Sequence, residues 1–158
     1  MNLPERFKVV PVLASDNINA GVDSNSINMK NFHKASFIFT FGTLAGASGA
    51  VLKVFSGAAD GAKTSALTFR YAVGSAAIGA ASCDVLGAQS TSAALTLTAA
   101  TYTDKMLIVE VDASDMDVAN GECWLTAELG AEADSGAADC VAILEPRYTK
   151  NLSETALA

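Results

Sequence analysis

Apolar residues in this chain recur at a spacing of two. Phe37, Phe39 and Phe41 alternate with Ser36, Ile38 and Thr40, the period of a strand with one aromatic face turned inward. Leu67, Phe69, Tyr71 and Val73 fall on one face of a second run, and Leu95 and Leu97 alternate with Thr96 and Thr98 within Ala94–Thr98. Val51–Phe55, Cys83–Leu86, Trp124–Leu129 and Cys140–Leu144 read as further strands, and Met106–Val111 is the most continuously apolar run. Phe7–Leu13 contains Pro11, which cannot donate to a ladder and so confines this run to a sheet edge or an extended arm.

The intervals between these runs carry turn chemistry. Small residues fill Ala45–Gly49, Gly57–Gly61 and Ala72–Ala81, and Glu145-Pro146 stops the last strand. Asp16 to Asn31 holds seven Asp/Asn in sixteen residues. Their side chains form local turns that compete with regular structure, so an ordered loop is expected there. Eight or nine short strands and no long 3.6-residue stripe predict one all-β domain over 1–158, a β-sandwich or jelly roll, with under about a tenth of residues helical. The Ala-rich segments favour helix by propensity but are interrupted by Gly, Ser and Thr. The polar ends, Met1–Lys8 and Thr149–Ala158, read as extended arms able to exchange strands with a neighbour.

Composition narrows the function. Of 158 residues 51% are hydrophobic, but 30 are Ala, so the core is built from about fifty larger side chains. The net charge of −7 argues against nucleic-acid binding, which needs a positive footprint. Residues 1–70 carry seven Lys/Arg and four Asp/Glu, whereas 71–158 carry three and thirteen; a solvated acidic face is the preferred reading of this asymmetry, and orientation of subunits in an assembly the alternative. No apolar run nears the roughly 18 residues that span a bilayer, and no secretion signal is evident, so folding in the cytosol and no membrane partner are expected. The sequon Asn151-Leu152-Ser153 then carries no weight. Cys83, Cys123 and Cys140 are odd in number and far apart, and read as buried thiols in a reducing compartment. A Cys123–Cys140 disulfide stays open as an alternative.

Candidate chemistry is sparse. Gly57-Ala58-Ala59-Asp60-Gly61-Ala62-Lys63-Thr64 approaches a phosphate-binding loop, with Ala62 in place of its second Gly, but alternation rather than a helix follows. A hairpin turn is expected, and Lys63→Ala is expected to leave stability unchanged. Asp112, Asp115, Asp117 and Glu122 crowd one loop as calcium ligands can, yet Ala119 and Thr126 break the EF-hand spacing, and a solvated turn is the preferred reading. His33 is the only histidine, and Gly46-Ala47-Ser48-Gly49 lacks nucleophile-elbow spacing. No catalytic, cofactor-binding or metal-binding residues are assigned.

The chain resembles the capsid decoration (cement) proteins of tailed bacteriophages. The resemblance lies in Arg6-Phe7-Lys8-Val9-Val10-Pro11-Val12-Leu13, Ser26-Ile27-Asn28-Met29-Lys30-Asn31, Ser65-Ala66-Leu67-Thr68-Phe69, the run Lys105 to Asp112, and Leu144-Glu145-Pro146-Arg147-Tyr148. It implies a β-rich virion protein without enzymatic activity, assembled in the host cytoplasm, bound to the major capsid protein on the capsid surface and often trimeric. For a homotrimer, Phe32, Trp124 or Tyr148 is expected at the contact. A carbohydrate-binding or adhesion sandwich is the rival reading, with Trp124 and Tyr148 as its aromatic platform; a head fibre or tail component is a nearer variant of the first.

Overall fold

The computed structural model describes residues 2–45, 49–131 and 136–158. Among these residues the alternation becomes twelve strands in two antiparallel sheets, packed as an all-β sandwich. The first sheet (sheet A) has the order β1 (Lys8–Asn17), β12 (Ala137–Pro146), β4 (Phe32–Phe41), β10 (Met106–Asp112), β7 (Phe69–Val73) and β8 (Ser90–Ser92). The second (sheet B) has the order β2 (Val22–Asp23), β11 (Trp124–Leu129), β5 (Ala50–Gly57) and β6 (Ser65–Leu67); β3 (Ile27–Asn28) also pairs with β11, and β9 (Leu95–Leu97) with β5. Sheet A supplies Phe37, Phe39, Phe41, Leu107, Val109 and Val111 to a single buried core. Leu52, Val54, Leu125 and Leu129 meet them from sheet B. Phe37, Phe39 and Phe41 stack along β4 at centroid spacings of 6.2 and 6.0 Å.

Three expectations about elements are corrected. The run Leu67–Val73 is two strands: β6 pairs with β5 in sheet B, and after Thr68 the chain enters sheet A as β7, paired with β10. Leu67 and Phe69 both remain buried across this corner, so the alternation gives no sign of the change of sheet. Cys83–Leu86 forms no strand, because only Leu86 bridges, to Gly74. The polar β8 pairs with β7 instead. Helical turns reach 14% of residues rather than under a tenth. They are short: α1 (Leu3–Arg6), α2 (Ala99–Tyr102) and four 3-10 turns.

The ends, expected as arms, lie against their own domain. Lys8 opens β1 opposite Leu144, and its ammonium donates to Leu152 O at 3.0 Å. The final turn (Thr149–Leu152) buries Asn151, whose amide donates to Asn31 O at 3.0 Å. Asn28 N–H donates to Ala156 O, and the Asn31 amide to Glu154. These bonds hold a polar tail that has no periodicity of its own. β1 is a sheet edge, as Pro11 requires, and it is irregular between Pro11 and Leu13 and again between Leu13 and Asp16. The expected loop Asp16–Asn31 begins later than the Asp/Asn content suggests: Asp16 and Asn17 still pair as the end of β1, and the rest is interrupted by β2 and β3 and ends in a 3-10 turn, Met29–Asn31.

Candidate docking surfaces

The register of sheet A fixes what its outer face presents. Pro11 lies opposite Val141, Val141 opposite Ile38, Ile38 opposite Ile108, and Ile108 opposite Ala72. One unbroken apolar row therefore crosses five strands on the side away from the core. The neighbouring row runs Val9, Ile143, Ser36, Glu110 and Arg70. Val9 is 40% and Val141 38% exposed, while Ile38, Ile108 and Ile143 are half-buried. The charges on the central strands are closed among themselves. Lys34 pairs with Glu110 at 3.0 Å and Arg70 with Asp112, whose carboxylate holds the guanidinium pKa above its ordinary value. A groove of about 230 Å³ lined by Phe7, Lys34, Ser36, Glu110, Ile143 and Glu145 joins this belt to the chain ends.

The outer face of sheet B is covered at β11 instead. Thr126 would face outward from β11, yet it is buried, its hydroxyl 2.6 Å from that of Ser26. Ser26 also accepts from Gly61 N–H, tying the loop before β3 to the β5–β6 hairpin. Lys63 on that hairpin donates to Asp23 and Glu128 and sits 6.0 Å from the centre of the Phe55 ring. Its pKa is raised, first by the hydrogen bond to Asp23 and then by that to Glu128. This polar lid covers the β11 side of sheet B, while Ala66 on β6 and Thr96 on β9 stay exposed.

Two further apolar patches flank the outer face of sheet A. The 74–87 loop, beyond β7, exposes Ile78 (52%), Val85 (53%) and Leu86. The loop is pinned by backbone hydrogen bonds from Ser75 to Val85 O, Gly87 to Val73 O and Ile78 to Asp104 O. At the opposite side, beside β1 and β12, Tyr148 (69% exposed) borders a groove of about 300 Å³ between the two chain ends, near exposed Leu3.

The residues singled out in the sequence separate in space. Gly57–Thr64 closes the β5–β6 hairpin, with Thr64 N–H on Ser56 O, and a strand follows it rather than a helix. Gly57 is obligatory there: a Cβ would stand 2.2 Å from Ala62 O. Lys63 is held in a partly exposed ion triad with Asp23 and Glu128. The acidic loop disperses. Asp112 pairs with Arg70, and Asp117 caps the 3-10 turn Val118–Asn120. Glu122 is buried at 3% exposure, where the hydroxyls of Ser56 and Ser65 donate to it. Among the described residues no group of three His, Cys, Asp or Glu side chains is arranged to hold a metal ion.

Phe32, expected at a subunit contact, is buried in the chain's own core, because its ring fills the inner face beside Asn31's turn. Trp124 is half-buried and Tyr148 open. His33 is exposed at the start of β4, and Gly46-Ala47-Ser48 lies outside the described residues. All three cysteines are free thiols, but of the three expected to be buried only Cys140 is, and Cys83 and Cys123 are half-buried; burial pushes the Cys140 thiol pKa well up. The outer apolar row was missed, although its signal is in the sequence. Ile38, Ile108 and Val141 occupy positions of their strands where a solvated face carries polar side chains.

Compared with known proteins, the chain matches no family model, no curated protein sequence and no solved structure.

Proposed function

We propose that this chain is a non-catalytic structural subunit that binds a larger protein shell and bridges its neighbouring subunits. Following the resemblance in the sequence, the shell is a tailed-phage capsid, the partner its major capsid protein and the location the outer surface of the virion. One observation carries this reading: the exposed apolar side chains fall in separate patches rather than one. Leu3 and Tyr148 lie at the chain ends, Val9 and Val141 on the face of sheet A, and Ile78, Val85 and Leu86 on the 74–87 loop, while Val118 stands apart on its 3-10 turn. β12 and β7 are three inter-strand steps apart, so the flanking patches are separated by about 14 Å or more at the usual strand spacing. Contiguous exposed apolar surface marks interaction sites, and a bridging subunit needs at least two. A subunit that binds only the intact shell stabilises it by mass action, and many copies multiply the effect.

The test mixes purified protein with heads lacking it and measures occupancy and the temperature of DNA release. Saturable binding and a raised release temperature are expected. Failure to bind any head surface, with retention of glycans on an array, would instead assign the chain to the adhesion class, with Tyr148 beside its groove as the contact.

A further inference from the structure

We propose that Asn120-Gly121 is a site of spontaneous deamidation, and that the Asp117 carboxylate is the latch that slows the reaction.

The dipeptide supplies the chemistry. Asparagine is a thermolabile side chain, and Asn120 alone of the chain's eight asparagines precedes a glycine. Glycine has no Cβ, so nothing shields its backbone nitrogen from the side chain before it. A Cβ placed on Gly121 would meet nothing within 4 Å, so the turn also leaves room for a ring to form. In the reaction the Gly121 nitrogen loses its proton and bonds to Cγ of Asn120, and the side-chain nitrogen leaves as ammonia. Water then opens the cyclic imide. Cleavage at Cγ yields aspartate in the normal backbone. Cleavage at the backbone carbonyl yields isoaspartate, whose main chain is longer by one methylene. Water is the sole co-reactant, and nothing is oxidised or reduced.

The fold restrains both reacting groups. Asp117 caps the 3-10 turn Val118–Asn120: one carboxylate oxygen accepts from Asn120 N–H at 3.3 Å and the other from the Asn120 side-chain amide at 2.6 Å. An ionised carboxylate can only accept, so it holds the amide nitrogen, the leaving group, toward itself. Gly121 N–H, the nucleophile, donates to Val118 O at 3.0 Å. These bonds must open before the ring can close. Little else resists opening, because Val118, Ala119, Asn120 and Gly121 are exposed and the turn buries no side chain. The population of the locally opened turn therefore sets the rate.

The product does not fit the turn it leaves. A carboxylate at position 120 stands against Asp117 where an amide donated, and like charges that close repel. Glu122 N–H bonds to Asp117 O at 3.1 Å, and the Glu122 carboxylate holds Ser56 and Ser65. Modification at 120 thus loosens the segment that seats Glu122, a route by which the folded protein ages.

The test incubates the purified, folded chain at neutral pH for weeks, with no shell present, and maps its peptides by mass spectrometry. In the parent, aspartate and isoaspartate are expected at position 120 ahead of the other seven asparagines. Asp117→Ala should speed their appearance roughly 5–30-fold, the change in open population that loss of a cap produces. Asp117→Asn, which keeps a capping oxygen, should fall between the two, and Asp115→Ala should match the parent. Circular dichroism establishes that each variant folds; Asp117→Asn carries the comparison if Asp117→Ala does not. Position 120 modified no faster than the other asparagines of the parent, or modified at one rate in the parent and in a folded Asp117 variant, would overturn the proposal.

Discussion

Glu122 offers the sharpest test of how the acidic loop is used. Its carboxylate is 3% exposed and accepts hydrogen bonds from the hydroxyls of Ser56 and Ser65, so it joins the loop after β10 to the two strands of the β5–β6 hairpin. Glu122→Ala removes two hydrogen bonds to a carboxylate, each worth about 1.5–3 kcal/mol, and leaves the fully buried Ser56 hydroxyl without its acceptor. Allowing for overlap between these losses, the cost is about 3–5 kcal/mol, a large share of a typical domain's stability. Glu122→Gln keeps one acceptor oxygen and should cost less. Asp115→Ala, on an exposed side chain of the same loop, should stay within about 0.5 kcal/mol of the parent. Urea unfolding monitored by tryptophan fluorescence reads all three, with an unchanged slope confirming that the denatured states are comparable. If Glu122→Ala is as stable as Asp115→Ala, the structural role is refuted. A rise in the parent's midpoint on adding calcium, lost in Glu122→Ala, would restore the loop as a cation site.

Other substitutions probe the rest of the sandwich. Phe39→Ala empties the centre of the Phe37–Phe39–Phe41 stack and should cost about 3–5 kcal/mol, lowering the melting temperature by roughly 6–20 °C in a scan of ellipticity. Lys63→Ala should cost only about 0.5–1 kcal/mol because its triad is partly solvated. The Lys63 pKa is raised by folding, so its contribution is fully present below the usual 10.5 and fades only as pH climbs through the higher folded value. Melts of parent and variant should therefore differ equally from pH 6 to 9 and converge only in strong alkali. Cys140 should resist a thiol reagent until the chain unfolds, since burial disfavours its thiolate, whereas the half-buried Cys83 and Cys123 should label in the native state. Mass spectrometry of the labelled peptides checks the order.

The parity of apolar residues made the sheets legible because burial on one face imposes it directly. β4 and β10 bury every second residue, as Phe37–Phe39–Phe41 and Leu107–Val109–Val111 announce. Parity does not say which sheet a strand joins, so Leu67 and Phe69 kept their rhythm while the chain crossed from one sheet to the other at Thr68. β8 has no apolar signal at all; Ser90–Ser92 is a strand only because β7 offers it an edge. The docked tail was hidden for a related reason. Its attachment rests on hydrogen bonds from Asn28, Asn31 and Asn151 between distant segments, and the composition of Thr149–Ala158 gives no hint of them. Among four similar carboxylates, nothing local distinguishes Glu122 as the buried one; Ser56 and Ser65, 66 and 57 residues away, do. The docking face was readable in part. Ile38 and Ile108 are apolar where a solvated strand face is not, but only the register places them side by side.

Electron cryo-microscopy of the protein bound to phage heads tests the central claim most directly. The account predicts density in which each copy touches at least two neighbouring capsid subunits, through the Tyr148 corner and the 74–87 loop, with the lidded outer face of sheet B left free. Copies that contact a single capsid subunit, or that bind through the Lys63–Asp23–Glu128 face, would contradict it.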